Sequence, residues 1–209
     1  MNRDPLKLAV LVSGSGTTLQ NLLDEIAAKR LNASVELVIG SKPDLLGVQR
    51  GIDAGVPTSV VSRKDFAQVD SFANEVWSQI DAAKVDLVCF AGWLCLLPIP
   101  QRYICRVINI HPSLLPAFGG KGMYGQKVHE AVLAHGCKVS GCTVHFVDDQ
   151  YDNGPIILQR VCEVLDDDTP KTLAARVFEQ EREAYPQAIR LFGDGRISFD
   201  GRRVRVARG

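Results

Sequence analysis

The sequence has 209 residues, of which 46% are hydrophobic and 23% are charged, a composition typical of a soluble globular protein. Basic and acidic residues number 24 each, so the formal net charge is zero, which argues against a broad binding surface for nucleic acid or anionic membranes. The six cysteines form no CxxC pair, which disfavours a zinc or redox site and favours reduced, buried thiols in a cytoplasmic protein. We find neither a signal-peptide pattern nor a membrane-length apolar stretch.

Hydrophobic periodicity predicts alternating strands and helices along the first half of the chain. A short apolar strand, Leu6 to Val12, leads through a Gly/Ser/Thr-rich turn into a helix. The predicted elements that follow are strands at 35–39, 58–61, 85–90 and 106–110 and helices at 44–54, 66–83 and 126–134. Strands at 139–147 and 156–164, a long helix from Thr169-Pro170 to about Leu191 and a hairpin at 197–206 complete the prediction.

This pattern predicts an α/β fold with a Rossmann-like, mostly parallel sheet and helices on both faces. The later strands are expected to pair partly antiparallel, because no long helix separates them. Since the chain has no repeat or linker, we predict one domain over 1–209. Within it, about 6–110 would form a phosphate-binding Rossmann-like unit and about 111–209 would complete the site. The tail at 202–208 alternates Arg and Val, which favours a half-exposed terminal strand.

The turn after the first strand, Gly14-Ser15-Gly16-Thr17-Thr18, brings backbone N–H groups and three hydroxyls to the start of a helix. Such a turn suits a phosphate group, because the unpaired N–H groups and the helix dipole both favour an anion. It has neither the GxGxxG spacing of a dinucleotide site nor the Gly-Lys-Ser/Thr of a P-loop, so a phosphate monoester fits better. The alternative is that Ser15 or Thr17 merely caps the helix.

A polar pair follows the apolar run 105–108. Asn109 and His111 lie two residues apart, and Pro112 disfavours continuation as a central strand. In an extended chain their side chains project from the same face. An amide donor beside an imidazole can serve a reaction in which a carbonyl becomes a charged tetrahedral centre. The alternative is a strand end whose polar residues only satisfy a turn.

An acidic loop at 148–155 separates two predicted strands, and its aspartates Asp148, Asp149 and Asp152 are common turn formers. One carboxylate beside His111 would raise the pKa of the imidazole and hold the ring in position. Sequence spacing does not choose among the three.

Two further sets of residues are assigned from their predicted elements. His145 alternates with Thr143 along a strand, so both are expected on the face of the site. His129 and His135 belong to the helix near 126–136 and are expected at the solvated surface. No group of residues has metal-ligand spacing, and we predict no metal.

Four segments resemble, in order, those of phosphoribosylglycinamide formyltransferases, from Leu6 to about Leu191. They are Ser13-Gly14-Ser15-Gly16-Thr17-Thr18-Leu19-Gln20, Ala91-Gly92-Trp93, Asn109-Ile110-His111-Pro112-Ser113-Leu114-Leu115-Pro116 and Asp152-Asn153-Gly154-Pro155-Ile156-Ile157. The third segment is specific to folate-dependent formyltransferases as a class. The resemblance implies direct transfer of a formyl group from the co-substrate 10-formyltetrahydrofolate to the amine of 5-phosphoribosylglycinamide, through a tetrahedral intermediate, in de novo purine biosynthesis.

The resemblance also implies which residues form the site. It assigns catalysis to Asn109, His111 and Asp152. It assigns the acceptor's phosphate and glycinamide to six residues: Gly14, Ser15, Gly16, Thr17, Thr18 and Glu181. It assigns the folate to eight residues: Trp93, Leu94, Cys95, Leu96, Leu97, Val147, Asp148 and Asp149. The implied partners are these small molecules, with no nucleic acid or membrane, and the implied assembly is a monomer or a homodimer.

Three positions depart from the family's pattern. Thr18 replaces a common Asn and remains a polar donor, whereas Cys95 replaces a common Arg and brings no charge. Near Val69, many members carry a basic residue for the folate's glutamate tail. We therefore expect Arg63 or Lys64 to take over that contact.

Three other functions are considered. A formyltetrahydrofolate hydrolase would share Asn109, His111 and Asp152 but carries an N-terminal regulatory domain that we do not find in this sequence. A methionyl-tRNA formyltransferase is expected to be longer and to have a basic surface. A non-catalytic nucleotide-binding module would explain the glycine-rich turn but would leave the three polar residues as a coincidence.

Overall fold

The computed structural model describes residues 4–207, and the chain divides into two compact units, 1–108 and 109–209. The first unit contains β1 (Leu6–Val12), α1 (Thr17–Ala27), β2 (Ala33–Gly40), α2 (Leu46–Asp53), β3 (Thr58–Val60), α3 (Val69–Ala82) and β4 (Leu87–Phe90). Strand β5 (Val107–His111) crosses the boundary. The second unit contains α4 (Gln126–Ala134), β6 (Val139–Phe146), β7 (Ile156–Glu163), α5 (Pro170–Gly193), β8 (Ile197–Asp200) and β9 (Arg203–Val206).

The strands of the first unit run in the order β3-β2-β1-β4-β5. The pairs β1/β2, β1/β4 and β2/β3 are all parallel. Residues 8–12 of β1 are fully buried, as expected for a central strand whose two faces are both covered. The glycine-rich turn directly follows the carboxyl end of β1 and precedes α1.

In the second unit the order continues β5-β6-β7, and β6 pairs with β7 antiparallel. The register shifts between Val144 and His145, a bulge of the kind that redirects side chains near functional sites. Helix α5 packs against β6 and β7. It starts at a capping box in which the side chains of Thr169 and Thr172 each accept from the other's backbone N–H, with Pro170 in the first turn.

The predicted fold class is confirmed: the chain is α/β, with a mostly parallel sheet whose later strands are antiparallel. The helix predicted at 66–83 starts later, at Val69, because residues 63–65 form a short 3₁₀ turn and Gln68 is extended. Phe66 packs its ring against Phe72 at 5.9 Å between centroids. An apolar residue before the helix that packs on the first turn resembles a hydrophobic staple, which mimics helical periodicity in the sequence.

Two other sequence predictions concern the tail and the membrane. The terminal hairpin is present as β8 and β9, and its side chains are largely exposed, as the Arg/Val alternation predicts. Within residues 4–207, none of the helices has the length and apolar character needed to span a bilayer. The single-domain boundaries of the sequence analysis stay a prediction.

Candidate active site

The glycine-rich turn of the first unit has an uncapped helix start. Gly16 is the N-cap residue of α1, with φ near 70°, and none of the side chains between residues 4 and 207 caps the helix. A Cβ atom at Gly16 would lie 2.4 Å from the Gly47 Cα, so both the backbone angle and the close approach require glycine. A plain cap by Ser15 or Thr17 is therefore wrong, and the first N–H groups of α1 keep their capacity to bind an anion.

Arg50 of α2 supports this turn, a role that no sequence pattern indicated. Its Nε donates to the Ser15 carbonyl oxygen at 2.9 Å, and its Nη1 donates to Gln20 Oε1 at 2.8 Å. One guanidinium thus joins the loop to the helix that follows it. Arg50 lies 35 positions from Ser15 in the sequence, and no local sequence pattern connects the two residues.

The second unit brings together the three residues that the resemblance assigns to catalysis. His111 ends β5, and its Nδ1 lies 3.4 Å from Asp152 Oδ2. Asn109 Nδ2 lies 3.4 Å from Asp152 Oδ1. His111 is 4% exposed, so the cluster is mostly withdrawn from water and its electrostatic interactions are strong.

His145 of β6, the strand next to β5, is the fourth member of the cluster and lies on the face predicted from the sequence. Its Nδ1 lies 2.7 Å from the Phe146 carbonyl oxygen, which can only accept, so Nδ1 carries the proton. The other ring nitrogen, Nε2, is then an acceptor for Asn109 Nδ2 at 3.2 Å. This contact orients the Asn109 amide and leaves its second N–H on the long 3.4 Å contact with Asp152.

The pKa of His111 lies below its usual value, contrary to the expectation that a nearby carboxylate would raise it. Burial is the largest effect and lowers the pKa, Asp152 and the Phe118 carbonyl oxygen raise it, and His145 lowers it further. Nε2 of His111 donates to the Phe118 oxygen at 2.8 Å. When the ring is neutral its proton therefore lies on Nε2, and protonation of Nδ1 gives the charged ring, which faces Asp152 at 3.4 Å.

Asp152 is the carboxylate that reaches the cluster, a choice that the sequence left open. Burial raises the pKa of Asp152, but its contacts with His145, His111 and the Gly120 N–H outweigh burial, and the pKa is lowered overall. Gly120 N donates to Oδ2 at 2.9 Å. Asp148 instead stabilises the turn by accepting from Gln150 N at 3.0 Å, and Asp149 is exposed.

Thr143 holds the backbone that follows His111, although its position in the sequence suggested only a shared face. It is fully buried, and its Oγ1 donates to the Ser113 carbonyl oxygen at 2.7 Å. The Thr143 Oγ1 atom also accepts from Leu115 N at 3.0 Å and from Gln159 Nε2 at 2.9 Å. The buried hydroxyl thus anchors the segment after the strand end by two hydrogen bonds, and Gln159 of β7 donates a third to it.

The residues assigned to folate differ in exposure. Trp93 and Leu97 are buried, and the Trp93 ring stacks on Phe72 at 6.2 Å, whereas Leu94 and Leu96 are exposed. Burial raises the pKa of the Cys95 thiol above its usual value. In the second unit, Val147 and Asp148 are half-buried.

Two other titratable residues are buried to an extent that the sequence did not indicate. Glu181 is partly buried in α5, and burial raises its pKa to about 7. His129 is 4% exposed, so its predicted surface position is wrong, whereas His135 is exposed as predicted. The error arises because His129 lies beside Val128 on the buried face of α4. Residues 4–207 contain no group of three or more His, Cys, Asp or Glu side chains that could hold a metal ion.

Comparison with known proteins gives a family match. Residues 6–189 match a family model described as formyl transferase. The chain is 38% identical over 196 residues to the chloroplastic phosphoribosylglycinamide formyltransferase of Arabidopsis thaliana, covering 92% of this chain and 67% of the plant protein. It is 42% identical over 193 residues to the trifunctional purine biosynthetic protein adenosine-3 of Drosophila melanogaster, covering 90% of this chain. The chain spans only 14% of that trifunctional protein's length.

A solved structure gives the same family. The model superposes on glycinamide ribonucleotide transformylase 1 from Symbiobacterium toebii with a TM-score of 0.91 and 40% identity. The superposition covers 99% of this chain and 96% of that chain. The likeness therefore includes both units, whereas the family model stops before β8 and β9.

Proposed function

Because this chain belongs to the formyl transferase family, we propose that it transfers a formyl group from 10-formyltetrahydrofolate to the amine of 5-phosphoribosylglycinamide, a step of de novo purine biosynthesis. The observation that carries the proposal is the convergence of Asn109, His111 and Asp152 in a mostly buried cluster. An amide donor, an imidazole and a carboxylate in contact are the groups that acyl transfer through a tetrahedral intermediate requires.

In the proposed reaction, the acceptor's amine nitrogen attacks the formyl carbon, and negative charge develops on the formyl oxygen. The second N–H of the Asn109 amide makes only a long contact with Asp152 Oδ1, at 3.4 Å between the heavy atoms, and it is the donor for this oxygen. His145 keeps the amide nitrogen facing inward through the 3.2 Å contact. Because the donor is oriented before the reaction, it stabilises the charged intermediate without reorganisation.

One proton must move from the attacking amine to the departing folate nitrogen as the carbon–nitrogen bond to the folate breaks. Asp152, with its lowered pKa, is ionised and can accept that proton and release it again. His111 presents its bare Nδ1 to the same carboxylate and becomes an imidazolium when the proton is transferred there. No covalent intermediate with the enzyme is required.

The binding roles follow the two units. In the first unit, the uncapped start of α1 with Ser15, Thr17 and Thr18 would hold the acceptor's phosphate, in the loop that Arg50 supports. Leu94 and Leu96 are exposed apolar side chains suited to the pterin. We further propose a cytoplasmic enzyme that acts on small molecules, without nucleic acid or membrane partners, as a monomer or a homodimer.

The test is an assay with purified protein, 10-formyltetrahydrofolate and 5-phosphoribosylglycinamide, followed by the absorbance of the folate product. Formyl transfer to the acceptor supports the proposal. Folate product that forms equally fast without acceptor would identify a hydrolase, and absence of turnover with any acceptor would favour a binding module.

Replacing Glu181 by glutamine is expected to change both stability and acceptor binding. The folded protein raises the pKa of Glu181 to about 7, above the 4.5 of the free side chain, so it retains a proton that the unfolded chain loses. Wild-type stability should therefore fall as pH rises between these values, and the glutamine variant should lose that part of the dependence. Thermal unfolding at about pH 5 and about pH 8 measures the effect, and KM for the acceptor should rise in the variant.

The matched control is Glu179→Gln, an exposed glutamate on the same helix that pairs with Arg182 at 3.4 Å. It should leave the pH dependence of unfolding and the acceptor KM as in the wild type. A Glu181→Gln variant with the wild-type pH profile would show that the carboxyl does not carry a raised pKa.

Removing the cations at Arg63 and Lys64 is expected to weaken folate binding. Arg63 and Lys42 both lower the pKa of the Cys95 thiol against the effect of its burial, which places their charges near the segment assigned to folate. Lys64 and Lys42 line a small cavity of about 200 Å³. The double variant Arg63→Ala/Lys64→Ala should raise KM for the folate roughly tenfold, and more with a polyglutamate tail, because exposed cation–carboxylate contacts add.

The comparison uses steady-state kinetics with monoglutamyl and polyglutamyl 10-formyltetrahydrofolate. Lys171→Ala, at an exposed lysine of α5, serves as the control for lost surface charge. Unchanged KM values in the double variant would contradict the assignment of the glutamate tail to these cations.

A further inference from the structure

The loop between β6 and β7 carries Asp152 in an unfavourable backbone conformation. Asp152 has φ near 53°, in the left-handed region that non-glycine residues rarely adopt. The ends of the loop are closed by the hydrogen bond from Phe146 N to the Pro155 carbonyl oxygen at 2.9 Å. A Cβ at Gly154 would lie 1.8 Å from the Phe146 oxygen, so only glycine allows this closure. The position of the Asp152 carboxylate therefore depends on the contacts that hold the loop.

Asn153, the residue after Asp152, is the point at which the loop is tied from both sides. Its Nδ2 donates to Asp148 Oδ2 at 2.7 Å, within the loop. From outside the loop, Arg202 Nη2 donates to the Asn153 carbonyl oxygen and lies 3.2 Å from Asn153 Oδ1. Arg202 thus binds both the backbone and the side chain of the residue next to Asp152.

Arg202 is presented by a hairpin that is itself anchored to the second unit. It follows Gly201 in the two-residue turn between β8 and β9. The Phe199 ring contacts Phe146 at 5.0 Å between centroids, and β9 packs against β7. At the base, Arg196 donates to the Ala207 carbonyl oxygen at 2.6 Å. The guanidinium is therefore held by a defined support rather than by a loose tail.

A cavity of about 470 Å³ lies beside this contact. It is lined by Leu115 and Pro116, by residues 152–156 of the loop and the start of β7, and by residues 202–204 of the hairpin. Because side chains do not fill this space, close packing does not hold Asp152 from the hairpin side. Arg202 and Asn153 both line this cavity, so the hydrogen bonds between them tie the loop to the hairpin where side-chain packing does not.

We propose that Arg202 is a positioning residue that holds Asp152 in place for the proton transfer. It acts through Asn153 and touches neither substrate nor reacting atoms. The expected effect of Arg202 on kcat rests on the proposed function. The restraint that Arg202 places on the loop does not depend on which reaction the protein catalyses.

The experiment compares Arg202→Ala, Arg202→Lys and Asn153→Ala, the double variant Arg202→Ala/Asn153→Ala, and the control Arg205→Ala. Arg205 is an exposed arginine of the same hairpin that pairs with Asp200, so its loss tests the hairpin without the loop contact. In Arg202→Ala, kcat should fall roughly tenfold with KM for both substrates nearly unchanged, because misplacing a catalytic group by a fraction of an ångström affects the transition state more than binding. Arg202→Lys should recover part of the rate, and Arg205→Ala should match the wild type.

The double variant distinguishes positioning from a general loss of stability. Because both single variants remove the contact between Arg202 and Asn153 Oδ1, while only Arg202→Ala also removes the backbone contact, their losses should add incompletely in the double variant. Hydrogen–deuterium exchange gives a readout that does not need turnover: amides at 147–154 should exchange faster in Arg202→Ala and as in the wild type in Arg205→Ala. This readout still tests the restraint if the wild-type protein shows no formyl transfer, which would refute the proposed function alone.

Three results would overturn the inference. The first is a wild-type kcat together with unchanged exchange in Arg202→Ala. The second is an equal loss of kcat in Arg205→Ala, which would assign the effect to hairpin stability. The third is exchange of the amides at 147–154 that is as fast in Arg205→Ala as in Arg202→Ala.

Discussion

Replacing Asp152 by asparagine is expected to lower kcat by roughly 10²–10⁴-fold, the range that general acid–base groups contribute. The amide keeps the shape of the side chain but cannot accept the proton from the attacking amine. It also removes the carboxylate that raises the pKa of His111, so that pKa should fall further below its usual value.

Stopped-flow or steady-state kinetics measure the rate, and NMR titration of the imidazole measures the pKa of His111. Asp166→Asn, at an exposed aspartate outside the assigned site that pairs with Lys138 at 2.7 Å, is the comparison and should keep kcat within about threefold of the wild type. An Asp152→Asn enzyme with a near wild-type kcat would rule out Asp152 as the proton acceptor.

Replacing Asn109 by alanine is expected to lower kcat by roughly 10²–10³-fold, the cost of removing one oxyanion donor. The loss should fall on kcat more than on KM, because the hydrogen bond is strongest once charge has developed on the formyl oxygen. Removal of the amide also leaves His145 Nε2 without the donor at 3.2 Å. Steady-state kinetics with both substrates separate the two parameters.

The control for this variant is Asn32→Ala, at an exposed asparagine before β2, which should behave as the wild type. A second comparison is His145→Gln, whose amide can still accept from Asn109 and should lose less activity than Asn109→Ala. An Asn109→Ala enzyme that loses KM alone would show that the amide binds substrate without stabilising the intermediate.

The fold was predictable to within a few residues from local patterns. Buried strands such as β1 read as continuous apolar runs, and the capping box at Thr169 marks the start of α5. The helix at α3 was predicted three residues too early because Phe66 continues the apolar spacing while its backbone is extended. Periodicity records which side chains are buried, and it does not record the backbone angles before a helix.

The sequence also determined which chemical groups are available to the candidate site. Asn109 and His111 share a strand face by the two-residue period alone, and Gly16 lies where a strand meets a helix. These relations are local, so the spacing of residues along the chain is sufficient to predict them. The resemblance of the surrounding segments then indicated the reaction class.

Only the tertiary structure decided how those groups act, because the deciding contacts join residues far apart in the chain. Asp152 reaches His111 across 41 positions, from 111 to 152, and its neighbours Asp148 and Asp149 do not. Burial of the ring reverses the expected shift in the pKa of His111. Arg202 lies 49 residues from Asn153. Distances across the fold and the exclusion of water set electrostatic energies, and a linear sequence contains neither quantity.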